Sequence, residues 1–297
     1  MTRRRVVHAA KYYPPVPGGM ETVVGDLCRG TADEWDVQVV AAHDRAETVV
    51  ARVDDVTVTR TARHGVAASV PLCPTYPWHL WQARADCVVL HEPNPIAGVA
   101  VFAQQLLVLN GAAPRLIIWH HSDLLRPAWA PHTYGHVQRA LYRRADCVIA
   151  SSPNLAETSP LVREARHVAV VPFGIDLARF ARPTPETLSK AAGMRAGLDG
   201  PVVLFVGRFV YYKGLETLID AVAATDVSLL LAGDGPLEPQ LRERAAARNL
   251  GARVRFLGRV PDDDLPACYR AADIFVLPSV ASTETFGVVQ VEAMASG

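Results

Sequence analysis

Two basic residues in the second half of the sequence have the spacing of a phosphate-binding pair. Arg208 and Lys213 stand five positions apart, after the apolar run Val202–Val206 and before a predicted helix. An arginine offers a planar fork of donors and a lysine offers a point charge. The positive end of a helix dipole adds to both, so the arrangement suits a diphosphate. A solvated turn could carry the same two charges, so the pair needs supporting residues elsewhere in the chain.

Two glutamates surround the start of the last predicted helix. If this helix starts near Phe286, Glu284 lies in the loop before it and Glu292 lies on its second turn. The first backbone N–H groups, at Phe286 and Gly287, then face an anion. Carboxylates accept hydrogen bonds from sugar hydroxyls, so both glutamates make sense beside a phosphate site if they hold hydroxyl groups. Compensation of the helix dipole would by itself account for Glu284.

Two adjacent histidines and an aspartate follow a predicted strand at Leu116–Ile118. These residues are His120, His121 and Asp123. Neighbouring residues of an extended segment point to opposite sides, so at most one of the two histidines faces a given ligand. A metal site is disfavoured because no third ligand accompanies the His–Asp pair at a convincing spacing.

Gly18 and Gly19 precede another predicted helix, in the Pro-rich loop after the first strand. Glycines let the backbone approach a ligand at a helix N-terminus, so this loop is either a phosphate or sugar contact or a simple turn. No Gly-x-Gly-x-x-Gly opens the first helix of either half, which argues against an NAD-dependent dehydrogenase.

Asp262–Asp264 resembles a metal-binding motif, but helix N-capping with a favourable dipole explains these acids better.

The elements that must position these residues follow a strand–helix rhythm. Short β-branched runs alternate with helical stretches, which is typical of buried parallel strands in a doubly wound α/β sheet. Ligands of such sheets bind beyond the carboxyl ends of the strands, where the candidate residues lie. We predict strands at Val6–Val7, Val37–Val40, Val56–Val58, Val88–Leu90, Leu116–Ile118, Val148–Ala150, Val168–Val171, Val202–Val206, Ser228–Ala232, Val254–Leu257 and Ile274–Leu277.

Proline and glycine composition predicts a boundary between two domains. We expect an N-terminal Rossmann-like domain at residues 1–180, a linker at 181–200 and a second Rossmann-like domain at 201–297. Only four strands can be counted in the second domain, whereas a doubly wound sheet usually has about six. We therefore expect the second domain to be incomplete.

Composition excludes several classes of function. Lys plus Arg and Asp plus Glu both number 30, so the basic footprint of a general nucleic-acid binder is absent. The five cysteines are odd in number and never two or three apart, which argues against disulfides and zinc and favours a reducing cytoplasm.

His8 and Lys11 break the apolar run after the N-terminal arginines, so no export signal is predicted. The uncharged stretch 96–113 predicts a buried helix because glutamines, an asparagine and glycines interrupt it.

Taken together, the motifs resemble the retaining, nucleotide-sugar-dependent glycosyltransferases of family 4, which have the GT-B fold of two Rossmann-type domains facing a cleft. The motifs stand in the family's order and cover nearly the whole chain. They are Pro17–Glu21, His121–Asp123, Pro172–Asp176, Gly207–Arg208 with Lys213–Gly214, Gly233–Pro236, Phe256–Val260, and the Glu-x7-Glu pair Glu284 and Glu292.

The resemblance implies a role for each matching residue. In the family, the matches of Arg208 and Lys213 grip the donor diphosphate, and the match of Glu292 holds the ribose. The match of Glu284 contacts the donor sugar, and that of His121 lies near the reacting sugar. Two cations and a helix N-terminus could neutralise the leaving diphosphate, so neither a metal nor another cofactor is expected. Further donor contacts are implied for Gly18, Gly19, Arg259, Val260, Phe286, Gly287 and Val288.

The expected function is transfer of a sugar from a UDP-, GDP- or ADP-linked donor to an acceptor hydroxyl, with retention of anomeric configuration, in the cytoplasm. The alternative is a non-catalytic relic or binding module on the same fold. In the family, the run Glu292–Gly297 is followed by a further strand and closing helices. We therefore expect a truncated transferase that is unstable or inactive alone.

A basic patch raises the hypothesis of a lipid-linked acceptor. Arg139, Arg143 and Arg144 lie on one predicted helix, and Arg3–Arg5 add cations in the same domain. Such a patch could meet an anionic membrane surface, with the enzyme peripheral at the inner membrane face. A solvated helix face is the simpler explanation of the same residues.

Overall fold

The structure is a computed structural model of the 297-residue chain. It describes residues 3–67, 70–107, 113–123, 130–281 and 286–297, the side chains of 130–133 excepted. The chain divides into two compact units, Met1–Gly174 and Ile175–Gly297. Each unit has its own sheet and its own hydrophobic cores.

An eight-stranded sheet forms the centre of the first unit. The strands of this unit are β1 (Arg5–Ala9), β2 (Asp36–Ala42), β3 (Val49–Val53), β4 (Val56–Thr61), β5 (Val66–Ala67), β6 (Val70–Pro71), β7 (Cys87–Glu92), β8 (Arg115–His120), β9 (Cys147–Ala150) and β10 (Val168–Val170). The order in the sheet is β10-β9-β8-β7-β1-β2-β4-β3, and β5 and β6 form a separate hairpin. All neighbours in the large sheet are parallel except β3 and β4.

Helices cover both faces of this sheet. They are α1 (Gly19–Thr31), α2 (Tyr76–Gln82), α3 (Pro95–Leu107), α4 (Ala130–Arg144) and α5 (Pro153–Thr158). Alternate residues of a strand point to opposite faces. In β2, Val40 and Ala42 accordingly pack in the core beneath α2, α3 and α4, whereas Val39 and Ala41 pack in a second core with α1. The prediction of a doubly wound α/β sheet is confirmed.

The second unit repeats this plan on a smaller, fully parallel sheet. Its elements are α6 (Leu177–Ala181), α7 (Pro185–Arg195), β11 (Val202–Val206), α8 (Leu215–Ala223), β12 (Ser228–Ala232), α9 (Glu238–Ala247), β13 (Val254–Gly258), α10 (Leu265–Arg270), β14 (Ile274–Phe275) and α11 (Val288–Ser296). The strand order is β13-β12-β11-β14. In β11, Val203 and Phe205 pack with α8 and α9, whereas Leu204 and Val206 pack with α7 and α10.

Residues 181–200 differ from the linker that composition predicts, because they contain α7 and lie inside the second unit. The Thr184 hydroxyl accepts a hydrogen bond from Thr187 N at 3.1 Å, and Pro185 occupies the first helical turn. Ala191 is buried. The proline that suggested a linker is thus a helix-start residue, since the first turn of a helix tolerates a missing N–H.

Two further elements in the first unit depart from or refine the sequence predictions. The strand β3 was not predicted; it forms an antiparallel edge through Val49–Val53. The helix in the uncharged stretch 96–113 is α3, which has 13 residues, and residues 108–112 lie outside the described residues. In the part of the chain that the structure describes, no helix is long and apolar enough to cross a membrane.

Candidate functional site

Three loops at the carboxyl edge of the second sheet pack backbone against backbone. The loop 207–214 leaves β11, and the turn at Gly233–Pro236 leaves the neighbouring β12. Phe209 N donates a hydrogen bond to Asp234 O at 2.7 Å. A Cβ atom at Gly233, where φ is +138°, would collide with Gly207 O. Glycine is required at this position because two backbones meet there.

The loop after β14 is the third of these loops, and it packs against the loop after β11. Val280 N donates a hydrogen bond to Tyr212 O at 2.8 Å. Gly214, with φ of +67°, precedes the N-terminus of α8, and a Cβ atom there would collide with Pro278 O. The loop after β11 is therefore fixed from both sides before it enters α8.

The two predicted phosphate ligands lie on this fixed loop. Lys213 is buried, and its Nζ lies 5.6 Å from the centre of the Tyr212 ring. Arg208 is exposed. Both follow β11 and precede the N-terminus of α8, so the loop concentrates positive potential at the carboxyl edge of the sheet.

Glu292 lies on α11 and is half-buried. The Tyr269 hydroxyl donates a hydrogen bond to Glu292 Oε2 at 2.6 Å. Burial raises the pKa of the Glu292 carboxyl, and the Tyr269 hydrogen bond opposes that rise. The hydroxyl therefore helps to keep the carboxylate ionised and fixes one of its two oxygens.

The start of α11 lies two residues later than the sequence predicts. The helix begins at Val288, and Gly287 is its N-cap in the left-handed conformation with φ of +70°. Phe286 therefore precedes the helix. The prediction for Glu284 falls outside the described residues.

Arg259 and Val260 follow β13, on the far side of β12 from Arg208. Arg259 is exposed, and Val260 packs partly against a hydrophobic core. Gly233 N donates a hydrogen bond to Gly258 O at 2.8 Å, which ties this segment to the turn after β12. The predicted donor-binding residues that the structure describes in this unit thus share one edge of one sheet.

Asp262–Asp264 form a 3₁₀ turn before α10. Asp264 is the N-cap residue but makes no side-chain capping hydrogen bond. Its Oδ1 instead accepts a hydrogen bond from Lys190 Nζ at 2.7 Å. Among the described residues, no group of three or more His, Cys, Asp or Glu is placed to hold a metal ion.

In the first unit, His121 directly follows β8 and is buried. His121 N donates to Glu92 O at 3.0 Å, and its ring stacks on Phe173 with centroids 5.8 Å apart. The neighbouring His120 has different partners, since its Nδ1 lies 2.6 Å from the Tyr142 hydroxyl. Burial lowers the pKa of His121 to about 3 and of His120 to about 4, so both rings are neutral at physiological pH.

Gly18 and Gly19 begin α1, after the loop that leaves β1. Thr22 N donates to Gly18 O at 3.0 Å, and the Glu21 carboxylate occupies the space that a Gly18 side chain would fill. In the sheet, β7 alone separates β1 from β8.

Three buried polar residues beside His121 were not predicted from the sequence. His8 lies in β1, and His91 and Glu92 end β7. Glu92 accepts hydrogen bonds from the Tyr134 hydroxyl at 2.6 Å and from Gln138 Nε2 at 2.7 Å, and burial raises its pKa to about 7. The available signal was an ionisable residue inside an otherwise apolar strand, at the edge where ligands bind.

Comparison with known proteins identifies the family. Residues 18–174 match the family of glycosyl transferase 4-like domains, and residues 193–297 match the glycosyl transferases group 1. D-rhamnosyltransferase WbpZ of Pseudomonas aeruginosa is 31% identical, over 99% of this chain and 76% of its own length. O-antigen chain mannosyltransferase C of Escherichia coli is 28% identical, over 97% of this chain and 76% of its own length.

A solved structure shows the same fold. Anabaena Alr3699/HepE, in complex with UDP and glucose, has a TM-score of 0.76 at 24% identity, over 99% of this chain and 78% of that one. This likeness and the two α/β units described above confirm the predicted GT-B fold class of two Rossmann-like domains. From these family matches and relatives, the chain belongs to the GT-B glycosyltransferases with a glycosyl transferase 4-like domain and a group 1 domain, enzymes of the hexosyltransferase class.

Proposed function

We propose that this glycosyltransferase takes its sugar from a nucleoside-diphosphate donor and transfers it to an acceptor hydroxyl with retention of anomeric configuration. The observation that carries the proposal is the loop after β11, where Arg208 and the buried Lys213 precede the N-terminus of α8. A solved relative in fold binds UDP and glucose, and two sequence relatives transfer rhamnose and mannose.

The leaving diphosphate explains why this loop is suited to catalysis. Cleavage of the sugar–phosphate bond develops negative charge on the diphosphate, and fixed cations and helix N–H groups stabilise that charge most when they need no rearrangement. Gly214 and Gly233 fix the loop through backbone contacts in advance. The leaving group needs no protonation, so a glycosidase pair of carboxylates flanking the bond is not required.

The remaining predicted site residues take the roles of their family counterparts. Glu292, with one oxygen held by Tyr269, binds the ribose through its other oxygen. Arg259 and Val260 line the base, and the backbone of Phe286, Gly287 and Val288 contacts the sugar and phosphates. Glu284 contacts the donor sugar, and Gly18 and Gly19 contact the donor through backbone. His121 acts at the reacting sugar.

We propose a lipid-linked acceptor at an anionic membrane face, with the enzyme peripheral and cytoplasmic. Arg139 and Arg144 are exposed on α4, which supports the proposal, whereas Arg143 forms an ion pair with Glu164 at 2.8 Å. Polybasic segments bind anionic lipid in a salt-dependent way. Salt-sensitive binding to phosphatidylglycerol vesicles supports this acceptor, and absence of binding contradicts it.

A donor panel tests the function. UDP-glucose, GDP-mannose and ADP-glucose are compared by thermal shift and by transfer to a sugar acceptor, with the anomer of the product read by NMR. A ligand at 100 times its dissociation constant stabilises the folded state by about 2.7 kcal/mol. Stabilisation by one nucleotide class together with a retained anomer is expected. Binding without transfer, or an inverted product, contradicts the proposal.

A further inference from the structure

Three buried imidazoles form one hydrogen-bonded line that ends at His121. His8 Nδ1 lies 2.9 Å from His91 Nε2, and His91 Nδ1 lies 3.0 Å from His121 Nε2. The rings are stacked, with centroids 5.2 Å and 5.3 Å apart and planes inclined by 21° and 26°. His8 is 5% exposed, His91 1% and His121 4%. The line thus runs through the interior of the first unit.

The register of the sheet creates this line. In the pairing of β7 with β8, His91 lies opposite Trp119, so His91, Trp119 and His121 share a face. In the pairing of β1 with β7, His8 lies opposite Val89. His91 is two residues after Val89 in β7, so His8 and His91 lie on the same face of the sheet. Strands β1 and β7 and the residue directly after β8 therefore each contribute one imidazole, stepped along the strand direction.

The charge state of the three rings limits where their protons can be. Burial lowers the pKa of His8 to about 4 and of His121 to about 3, and it holds the pKa of His91 well below the usual range. A neutral imidazole has one N–H donor and one acceptor nitrogen. In each of the two contacts, one ring must therefore donate and the other must accept.

Only two proton arrangements satisfy both contacts. If His91 Nδ1 donates to His121 Nε2, then His91 Nε2 accepts from His8, and His121 carries its proton on Nδ1. In the reverse arrangement, His121 Nε2 donates and its Nδ1 is an acceptor. The tautomer of His121 is thus coupled through His91 to that of His8, two strands away.

We propose that His91 and His8 are positioning residues for sugar transfer, which fix the tautomer and ring orientation of His121 through this line of imidazoles. The inference rests on the proposed role of His121 at the reacting sugar. That tautomer decides whether Nδ1 of His121 offers a donor or an acceptor to its surroundings, and a hydrogen bond to a substrate hydroxyl depends on that choice.

Packing alone is the competing explanation for the two histidines. Trp119 stacks on His91 and on His121 with centroids 6.2 Å and 6.4 Å apart, so the rings also fill space. A phenylalanine at position 91 keeps the ring and its stacking but removes both nitrogens. An asparagine keeps one donor and one acceptor close to the position of Nδ1. The pair His91→Phe and His91→Asn therefore separates packing from hydrogen bonding.

The test reads the tautomer directly. Long-range ¹H–¹⁵N correlation spectra of the full chain with ¹⁵N-labelled histidine distinguish protonated from unprotonated ring nitrogens, and His121→Gln assigns the His121 signals. A single His121 tautomer is expected in the wild type, with a changed ratio in His91→Phe and in His8→Phe. Tyr142→Phe, which removes the hydroxyl beside His120, is the control and should leave the His121 signals in place.

Kinetics with the best donor of the panel completes the test. In His91→Phe, kcat should fall by about tenfold or more while the donor KM stays near the wild-type value, and His91→Asn should recover part of the loss. If His121→Ala loses turnover but both phenylalanine variants keep the wild-type tautomer and kcat, the positioning role is overturned and the proposed function stands. Full turnover in His121→Ala overturns the role of His121 and the positioning role with it.

Discussion

At the residue scale, the hydroxyl of Tyr269 fixes the carboxylate proposed to bind the ribose. Its hydrogen bond to Glu292 Oε2 is 2.6 Å long, and its ring packs against Phe180 and Phe275. We expect Tyr269→Phe to weaken nucleotide binding by about 1 kcal/mol, because the carboxylate loses a donor and its pKa rises further. Calorimetric titration with UDP and GDP measures the loss.

A matched substitution in the other unit controls for the missing hydroxyl. Tyr142→Phe also removes a buried hydroxyl, in this case the one beside His120 Nδ1. It should lower the free energy of unfolding without changing nucleotide affinity. Equal affinities for wild type and Tyr269→Phe would show that Glu292 does not depend on this contact.

At the element scale, the turn into α8 requires a glycine. Gly214 has φ of +67°, and a Cβ atom there would collide with Pro278 O. Gly214→Ala should therefore lower the free energy of unfolding by about 2–4 kcal/mol, since strain and collision add. Urea unfolding of the purified variant measures this change.

Gly193 in α7 is the matched control, because a Cβ atom there meets nothing within 4 Å. Gly193→Ala should leave stability unchanged or raise it by about 0.5–1 kcal/mol, as alanine favours a helix. A Gly214→Ala variant as stable as Gly193→Ala would contradict the described packing of the loops after β11 and β14.

The predictable elements were those with a local hydrophobic signal. Buried parallel strands such as β11 and β12 are continuous apolar runs, so their positions follow from the sequence. The edge strand β3 alternates exposed and partly buried residues and carries a weaker signal. The helix α7 was missed because its proline and glycine resemble those of a linker, although Thr184–Pro185 is a helix start.

The candidate site was predictable where residues lie close in sequence. Arg208 and Lys213 share one loop, so their spacing after a strand, together with the other motifs, predicts a phosphate contact. The line of imidazoles depends on the register of three strands, and residues 8, 91 and 121 are far apart in the chain. The sequence contains each histidine, but the strand order that joins them is a property of the folded sheet.

At the scale of the whole molecule, the buried histidines should make the first unit sensitive to acid. The pKa values of His8 and His120 fall to about 4 and that of His121 to about 3, and that of His91 is also depressed. The unfolded state therefore binds protons below pH ~6.5 that the folded state does not. Their contribution to stability is present above that pH and is lost as the pH falls.

Glu92 acts in the opposite direction. Burial raises its pKa to about 7, so the folded state holds a proton that the unfolded state releases above pH ~4.5. The four histidines together outweigh Glu92, so unfolding takes up protons as the pH falls from 7 to 5. The free energy of unfolding should therefore decrease as the pH is lowered through this range.

Urea titrations of wild type and His91→Phe between pH 7 and pH 5 check this linkage. The variant lacks one of the four imidazoles, so its free energy of unfolding should decrease less steeply as the pH is lowered. A stability that does not change over this range in the wild type would show that the histidines are not buried as described.

The loop after β11 is proposed to bind the diphosphate of a nucleotide sugar. The direct measurement is the affinity of the preferred nucleotide for wild type, Arg208→Ala and Lys213→Met, by calorimetry, with folding checked by thermal unfolding. Arg248→Ala is the control. Arg248 directly follows α9, at the opposite edge of the sheet; it is exposed and pairs with Asp220 of α8.

Each cation supplies a charge-assisted contact to phosphate, so each of the two loop variants should lose about 2 kcal/mol of binding free energy, a factor of about 30 in Kd. Arg248→Ala should bind like the wild type. Unchanged affinity in both folded loop variants would contradict the account.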